Sequence, residues 1–399
     1  MIYIVLILKK SLREKMIFFG INKEEKCKQL IKKANKFYEE KKFVKAVKLY
    51  QKILNIDSSH FAAKANIATS YFELEKYTDA IPFFKEIILL DSSNPWWHNY
   101  LSQSAQKIED YDLALSEAWL AVECDENARE HHLNLAYSIY EISDSCGRQK
   151  TDSLLQEWYQ KYPQNPIAKQ CYKSFFHDAD FTCCESEYVE ELFDVFASDF
   201  DDVLAELQYD SPKIIAQNLS NFYSGKTNEK FSVLDLGCGS GLCGKEIKNT
   251  LKNAQITGVD ISSNMLSKAK EKKAYKSLLK NNIITCFSLF NSGFDVVVSS
   301  DVFTYFGKLD SIFLNAYNSL LENGIFIFTF SCNFQNENDY FLMPSSRFVH
   351  SLKYIEKTLA CCGFSIIKNE EKILRKEGEK DVVGRVVVAQ KKHKKISAN

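Results

Sequence analysis

The chain has 399 residues, 45% hydrophobic and 26% charged, which is enough for two or three domains of ordinary globular composition. Lys and Arg total 51 against 52 Asp and Glu, and the resulting net charge of −1 offers no bulk field for nucleic acid or an anionic membrane. Collagen, coiled coil and low-complexity disorder are excluded by the same counts. Glycine alone is uneven: 12 of the 14 lie at or after Gly225, and only Gly20 and Gly147 precede it. Glycine serves where backbone turns sharply or meets a ligand closely, so the two parts of the chain differ in need.

Met1 to Leu8 is apolar and is followed by Lys9 and Lys10. A signal peptide carries its charge first, and a stretch this short cannot span a bilayer. The segment 1–26 therefore reads as a frayed helix or an upstream start, with Met16 as a second start, and no membrane is expected. The 12 cysteines are scattered, with adjacent pairs at Cys183/Cys184 and Cys361/Cys362 and no C-x-x-C. That usage predicts reduced thiols, a cytosolic (cytoplasmic) protein and no metal site.

A period of 34 then governs the glycine-poor part. Ala46, Ala80 and Ala114 follow it, as do Phe43, Tyr77 and Tyr111, then Asp57, Asp91 and Asp125, and the series Ala34, Ala68, Ser102, Ala136. Small residues let the two helices of a hairpin approach, aromatics fill the notch beside the crossing, and aspartates punctuate the loops. Each unit is amphipathic on both helices and must stack on its neighbour. The pattern resembles the tetratricopeptide repeat over 27–60, 61–94 and 95–128, with a degenerate fourth unit from Arg129 that accommodates an insertion near Cys146-Gly147 and reaches Pro163. The resemblance implies a groove binding a protein or peptide. Asn35 and Asn66 match two asparagines of the chaperone-tail clamp, whereas its cationic positions are Ile31, Trp96 and Tyr100, so the groove reads as neutral and aromatic. Trp96 and Trp97 are either a binding platform or packing between repeats, the commoner use of such aromatics.

From Phe231 onward, strands at 231–236, 255–260, 283–288, 294–300, 324–331, 363–369 and 382–390 alternate with helical stretches near 242–252, 262–279, 309–322 and 347–361. That alternation predicts a parallel sheet covered on both faces, closed by an antiparallel hairpin. Leu234-Asp235-Leu236-Gly237-Cys238-Gly239-Ser240-Gly241 ends the first strand and opens a helix, where glycines let backbone N–H groups meet a ligand. Gly239, Gly241 and Gly244 satisfy the dinucleotide fingerprint G-x-G-x-x-G. Asp235, however, would repel a pyrophosphate and suits a cationic ligand. Asp260 ends the second strand, where an acid can accept both ribose hydroxyls.

D-x-G-x-G-x-G resembles motif I of class I S-adenosylmethionine-dependent methyltransferases, and Asp260 to Leu266 resembles their D-x-S-x-x-M-L pattern. Residues 188–390 are similar to a bacterial family of predicted methyltransferases that often carry tetratricopeptide repeats. The matching segments are Phe193 to Leu204 (with Phe196 for a tyrosine), Phe294-Asp295 through Ser300-Asp301-Val302-Phe303-Thr304-Tyr305, Arg347 to Ser351 and Leu374 to Glu377. The resemblance implies S-adenosylmethionine as cofactor. Gly237, Cys238, Gly239 and Gly241 would then shape its methionine end, Asp235 face its amino group, Asp260 with Ile261 hold the ribose, Met265 pack near the adenine and Asn282 meet the adenine amino group. Asn282 stands where the family has an acid, and an amide is the weaker acceptor. Phe196 and Asp301 complete the cofactor set. Asp301, Tyr305 and His350 are the candidates for catalysis, with a helix or turn cap as the other reading of Asp301 and a hydrogen-bonded structural role as the other reading of His350. Cys238 and Cys243 read as small packing residues.

The organisation expected is an N-terminal segment 1–26, repeats over 27–166, a linker 167–187, a methyltransferase domain over 188–390 and a basic tail 391–399. The fold class is α plus α/β, a helical-hairpin solenoid followed by a Rossmann-like domain with a seven-stranded, mostly parallel sheet whose last strand is antiparallel. The function expected is methyl transfer to an unidentified acceptor, with the repeats recruiting a protein partner or substrate. A repeat scaffold with a weakly active or inactive methyltransferase domain is the alternative, and a nicotinamide oxidoreductase is the third reading, opposed by Asp235.

Overall fold

The computed structural model describes residues 23–176, 181–226, 228–290, 293–332, 338–377 and 380–392. Met1 to Leu8, Lys9, Lys10, Met16, Gly20 and the tail from His393 lie outside the described residues. The chain divides into two compact units between Thr151 and Asp152.

The first unit is helical: α1 (23–39), α2 (Phe43–Leu54), α3 (Phe61–Glu73), α4 (Tyr77–Ile88), α5 (Pro95–Lys107), α6 (Tyr111–Cys124) and α7 (Arg129–Cys146). Local chemistry sets the starts. His60 caps α3, Asn94 caps α5 with Pro95 in its first turn, and Asp110 caps α6. Neighbouring helices pack in chain order. Ala34, Ala46, Ala68, Ala80, Ser102 and Ala114 are fully buried at the crossings. Ala136 is only half-buried, so its series breaks in the fourth unit. The backbone keeps the same period, because Lys41, Glu75 and Glu109 adopt φ of 55°, 57° and 62° at the turns between paired helices. Side chains adopt that left-handed region at a cost of about 1–2 kcal/mol per residue, and no glycine marks it in the sequence. Asp57 accepts from Ser59 N at 3.0 Å, Asp91 from Trp97 Nε1 at 3.1 Å and Asp125 from Asn127 N at 3.2 Å. Trp97 stands edge-on to Phe61, while Trp96 meets His131 and stays 47% exposed. Asn35 is engaged within the unit, accepting from the Tyr50 hydroxyl at 2.7 Å. Among the described residues no helix is long and apolar enough to cross a membrane.

The second unit begins with α8 (Asp152–Lys161), α9 (Pro166–Phe176), α10 (Ser186–Phe196), α11 (Phe200–Glu206) and α12 (Ser211–Phe222). There follow β1 (Ser232–Leu236), α13 (Leu242–Thr250), β2 (Gln255–Asp260), α14 (Ser263–Glu271), β3 (Tyr275–Lys280), β4 (Phe294–Ser299), α15 (Asp310–Ser319) and β5 (Leu320–Ser331). The unit ends with β6 (Tyr340–Leu342), β7 (Phe348–His350), α16 (Leu352–Cys362), β8 (Phe364–Glu377) and β9 (Lys380–Lys391). The seven-stranded mixed sheet runs β3-β2-β1-β4-β5-β9-β8. Its first five strands are parallel, and β9 is antiparallel to β5 and β8, so the expected terminal hairpin forms. Val233, Ile256, Val296, Ile325 and Val386 form part of one core layer, packed with α12 and α13 through Ile215 and Ile247. Chain order reverses between β1 and β4, and ligands bind outside the carboxyl ends of strands at such a point.

Four expectations are corrected. The third strand is 275–280, not 283–288. Asn282 Oδ1 accepts from Ile284 N at 2.8 Å and turns that apolar run into a 3-10 turn at Cys286–Leu289, while the half-exposed edge strand β3 takes the pairing with β2. The helix expected over 262–279 accordingly stops at Glu271, and Lys273 turns with φ 54°. Residues 152–176, expected in the last repeat and the linker, belong to the second unit. Gln170 Nε2 reaches Cys184 Sγ at 3.3 Å, and Lys169 and Lys173 pair with Glu185 at 2.7 and 3.2 Å. The stretch from Arg347 starts as β7, and helix begins only at Leu352, capped by Ser351.

Candidate active site

The crevice opens at the carboxyl ends of β1, β2 and β4. Gly237, Gly239 and Gly241 follow β1 with φ of 68°, 52° and 90°, each for a different steric reason. A Cβ at Gly237 would lie 2.5 Å from Val302 Cγ2, and one at Gly241 3.0 Å from Ala269 Cα. At Gly239 the nearest atom would be Phe200 Cε1 at 4.0 Å, so this glycine alone leaves open space. Gly244 and Gly258 make room for the ring of Tyr275, which also borders Gly241. Only part of the glycine signature therefore faces a ligand.

Of the residues marked in the sequence, Gly237, Cys238, Gly239, Asp260, Ile261, Asn282, Asp301 and Tyr305 line one cavity. Asp260 Oδ2 accepts from Gly239 N at 2.8 Å and Oδ1 from Ser262 N at 2.9 Å. Burial raises its pKa to about 6, against the pull of those N–H groups. Each oxygen keeps a lone pair for a further donor. Asn282 Nδ2 donates to Ser186 Oγ at 2.8 Å, while its oxygen serves Ile284 N. Asp301 has φ 58° and its N donates to Thr329 Oγ1 at 2.9 Å. Its Oδ2 accepts from Arg375 Nη1 at 2.7 Å, and its buried Oδ1 has no partner. Tyr305 is buried, which pushes its pKa up, with Arg347, Arg375 and Asp301 all acting on its hydroxyl.

The remaining marked residues lie elsewhere. Asp235 sits behind the turn, fully buried, accepting from the Tyr275 hydroxyl at 2.7 Å on Oδ2, with Oδ1 unpartnered. Burial lifts its pKa to about 7, partly offset by Tyr275. Any contact from Asp235 to a ligand amino group must run through that free oxygen. Gly241 and Met265 are outside the lining, Met265 fully buried with its N bonded to Ser262 Oγ at 3.0 Å. Phe196 is 49% exposed at the end of α10; its neighbours Phe193 and Phe200 line the cavity instead. His350 is fully buried outside the lining, its Nε2 2.8 Å from Phe306 O, and burial lowers its pKa to about 4. Its place outside the lining and its contact with Phe306 O fit a structural tie rather than a base for the crevice. Cys243, by contrast, lines the cavity with Cys238, and burial pushes both thiols well above the ordinary range, which suits packing residues.

Sequence reading missed the rest of the cavity wall. Tyr209 reaches Ser300 Oγ at 2.9 Å, and Arg347 and Arg375 stand beside Asp301 and Tyr305. Both arginines lie in segments quoted above that carried no role. Polar ties also bind α10 and α11 to the crevice rim. Asp194 accepts from Ser262 Oγ at 2.5 Å, Glu190 from Lys280 at 2.7 Å, and Asp201 from Lys272 at 2.6 Å and from the Ser240 hydroxyl. Among the described residues no group of His, Cys, Asp or Glu is placed to hold a metal ion.

Residues 234–326 match the family described as methyltransferase domain. The chain is 26% identical over 145 residues to a malonyl-[acyl-carrier protein] O-methyltransferase of Bacillus anthracis, covering 35% of this chain and 51% of that protein. It is 29% identical over 153 residues to a carboxy-S-adenosyl-L-methionine synthase of Campylobacter concisus, covering 37% of this chain and 64% of the relative. It spans about half the length of the malonyl-[acyl-carrier protein] O-methyltransferases it matches, 51% and 46% of two of them. A crystal structure of an S-adenosylmethionine-dependent methyltransferase from Clostridium acetobutylicum superposes with a TM-score of 0.38 at 20% identity, covering 51% of this chain and 100% of that one. Residues 234–326 thus match a methyltransferase domain, and the relatives that match are named as O-methyltransferases.

Proposed function

We propose that the second unit transfers a methyl group from S-adenosylmethionine to an acceptor entering the crevice between β1, β4 and α10–α11. The observation that carries this is the charge around Gly239. Asp260 and Asp301 line the cavity, Asp235 stands behind it, and Asp235 and Asp301 each keep an unpartnered buried oxygen. Such a set would repel a pyrophosphate and suits a ligand with an ammonium and a sulfonium. Gly239 gives the open cradle, and Asp260 keeps lone pairs for ribose hydroxyls. When bound, S-adenosylmethionine supplies a methyl carbon already activated by the sulfonium, so the protein's share is chiefly to position the acceptor and exclude water. Phe193, Phe200 and the ties from α10 and α11 serve the second task.

The 34-residue hairpins of the first unit resemble tetratricopeptide repeats, which supports recruitment of a protein partner or substrate. A scaffold with weak cofactor binding is the second reading, favoured by Asn282, whose amide oxygen already serves Ile284 N. Calorimetry with S-adenosylhomocysteine and NAD separates the readings. Micromolar binding of the first and none of the second is expected, and failure to bind S-adenosylhomocysteine overturns the enzyme reading.

A further inference from the structure

The walls of the cavity offer few groups that can take a proton. No described lining residue is a histidine, lysine or glutamate, and the guanidiniums of Arg347 and Arg375 are donors only. Burial pushes the hydroxyls of Tyr209 and Tyr305 and the thiols of Cys184, Cys238 and Cys243 upward, so they stay protonated at neutral pH. Asp260 is held by Gly239 N and Ser262 N, and its remaining lone pairs face the ribose in the reading above. Among the titratable residues of the wall, that leaves Asp301.

Asp301 is held at two points and keeps one oxygen unpaired. It follows β4 at the carboxyl edge of the sheet with φ 58°, a left-handed backbone that costs a residue with a side chain about 1–2 kcal/mol. Its N donates to Thr329 Oγ1 at 2.9 Å, and its Oδ2 accepts from Arg375 Nη1 at 2.7 Å. Its buried Oδ1 has no partner, at a cost of about 1–3 kcal/mol that a ligand donating one hydrogen bond there would recover. Charge selects among such donors. Arg375 already compensates the carboxylate, and the sulfonium of the cofactor brings a further positive charge, so a protonated amine would add a second uncompensated cation. A carboxylate would set its own lone pairs against Oδ1. A neutral hydroxyl suits both neighbours. The wall beside it is aromatic: Phe193 stands edge-on to Tyr305 at 5.5 Å and to Phe200 at 5.9 Å.

We infer that the acceptor is a neutral hydroxyl carried on an aromatic ring, and that Asp301 Oδ1 is its general base. This rests on the methyltransferase reading above. The O–H bond of the acceptor breaks and its proton passes to Oδ1, while a lone pair of the same oxygen forms the new O–C bond. The C–S bond of the donor breaks and its electron pair stays on sulfur. The sulfonium becomes a neutral thioether and Asp301 a carboxylic acid, which returns its proton to water once the methyl ether has left. An aromatic hydroxyl fits on two counts. Its ring matches the wall of Phe193, Phe200 and Phe306, and it ionises near pH 10, roughly as tyrosine does, far more readily than an aliphatic alcohol.

The full chain with S-adenosylmethionine tests the assignment, with methylated product read by mass spectrometry at neutral pH. Phenol, which keeps its proton there, is compared with 4-nitrophenol, which has largely lost its own, and with benzoate and benzylamine. Transfer to phenol is expected, with benzoate and benzylamine slower by about tenfold or more. Asp301→Asn should lower the rate with phenol by about 100-fold or more, the scale of general-base catalysis, and the rate with 4-nitrophenol by less than about fivefold. The retained 4-nitrophenol rate also reports that the variant is folded, and a merely structural role would lower both rates alike. No transfer to phenol, faster transfer to benzoate or benzylamine, or equal losses with the two phenols in Asp301→Asn would each overturn the inference. Failure of the parent chain to bind S-adenosylhomocysteine would instead sink the cofactor reading beneath it.

Discussion

Replacing Asp235 by asparagine should stabilise the ligand-free second unit at high pH and destabilise it at low pH. The carboxyl is fully buried, and burial moves its pKa from 3.8 to about 7. Because the folded value is raised, the folded state holds a proton that the unfolded chain has lost between those values. Stability from this group is whole below pH 3.8 and gone above about 7. A displacement of about three units at 1.36 kcal/mol each amounts to about 4 kcal/mol across that window. The amide carries no ionisation penalty, and its oxygen still accepts from the Tyr275 hydroxyl. Its NH2 falls where Oδ1 has no partner, at a cost of about 1–3 kcal/mol at every pH. The variant should therefore be about 1–3 kcal/mol less stable near pH 3.5 and about as much more stable at pH 8, crossing near pH 5 to 6. Hydrogen exchange of β1 and β4 amides in urea reads this unit without the first. A stability difference that stays constant from pH 4 to pH 8 would refute the reasoning.

Asp260→Ala should weaken S-adenosylhomocysteine by about 100-fold, since two charge-assisted hydrogen bonds are worth about 3 kcal/mol together; unchanged affinity by calorimetry would mean the site is misplaced. Gly244→Ala should lower the second unit's stability by about 1–3 kcal/mol in urea titrations, because its Cβ would meet the Tyr275 ring, whereas Gly239→Ala, at φ 52°, should cost about 1–2 kcal/mol of backbone strain and reduce cofactor affinity as well. In the first unit, the hydrogen bond of His98 Nδ1 to Glu117 at 2.6 Å raises the His98 pKa against the cost of burial. The stability it gives is whole below pH 6.5 and lost as pH rises through the raised value; Glu117→Gln should flatten that dependence in hydrogen exchange of α5 and α6.

Much of the second unit was legible because strands buried on both faces read as apolar runs, as in β1 and β4. β3 was not: its pattern, YKSLLK, is that of a half-exposed edge, and it followed a lysine-rich stretch that continued a helical pattern. The cofactor turn was legible because its residues are adjacent in sequence. The opposite wall was not, because Arg375 meets Asp301 across 74 positions and Tyr209 meets Ser300 across 91, separations that leave no local spacing to find. Phe196 failed for a related reason: a run of aromatics shows that a helix faces something, but only packing decides which rings do so.

Tyr275 ties the history of this turn to a single side chain. Its ring stands where β-carbons of Gly244 and Gly258 would lie and touches the place of one at Gly241, and its hydroxyl bridges Asp235 and Gly244 N. Gly244 can gain a methyl group harmlessly only after the ring has shrunk, Gly258 only if Cys238 and Leu278 give way as well, and the ring can return only if both glycines are still there. The order of substitutions is thereby constrained. Chains with a small residue at this position are expected to tolerate alanine at 244, while 258 stays crowded by Cys238 and Leu278, and a glycine count taken without residue 275 would misjudge how much of the loop answers to a ligand.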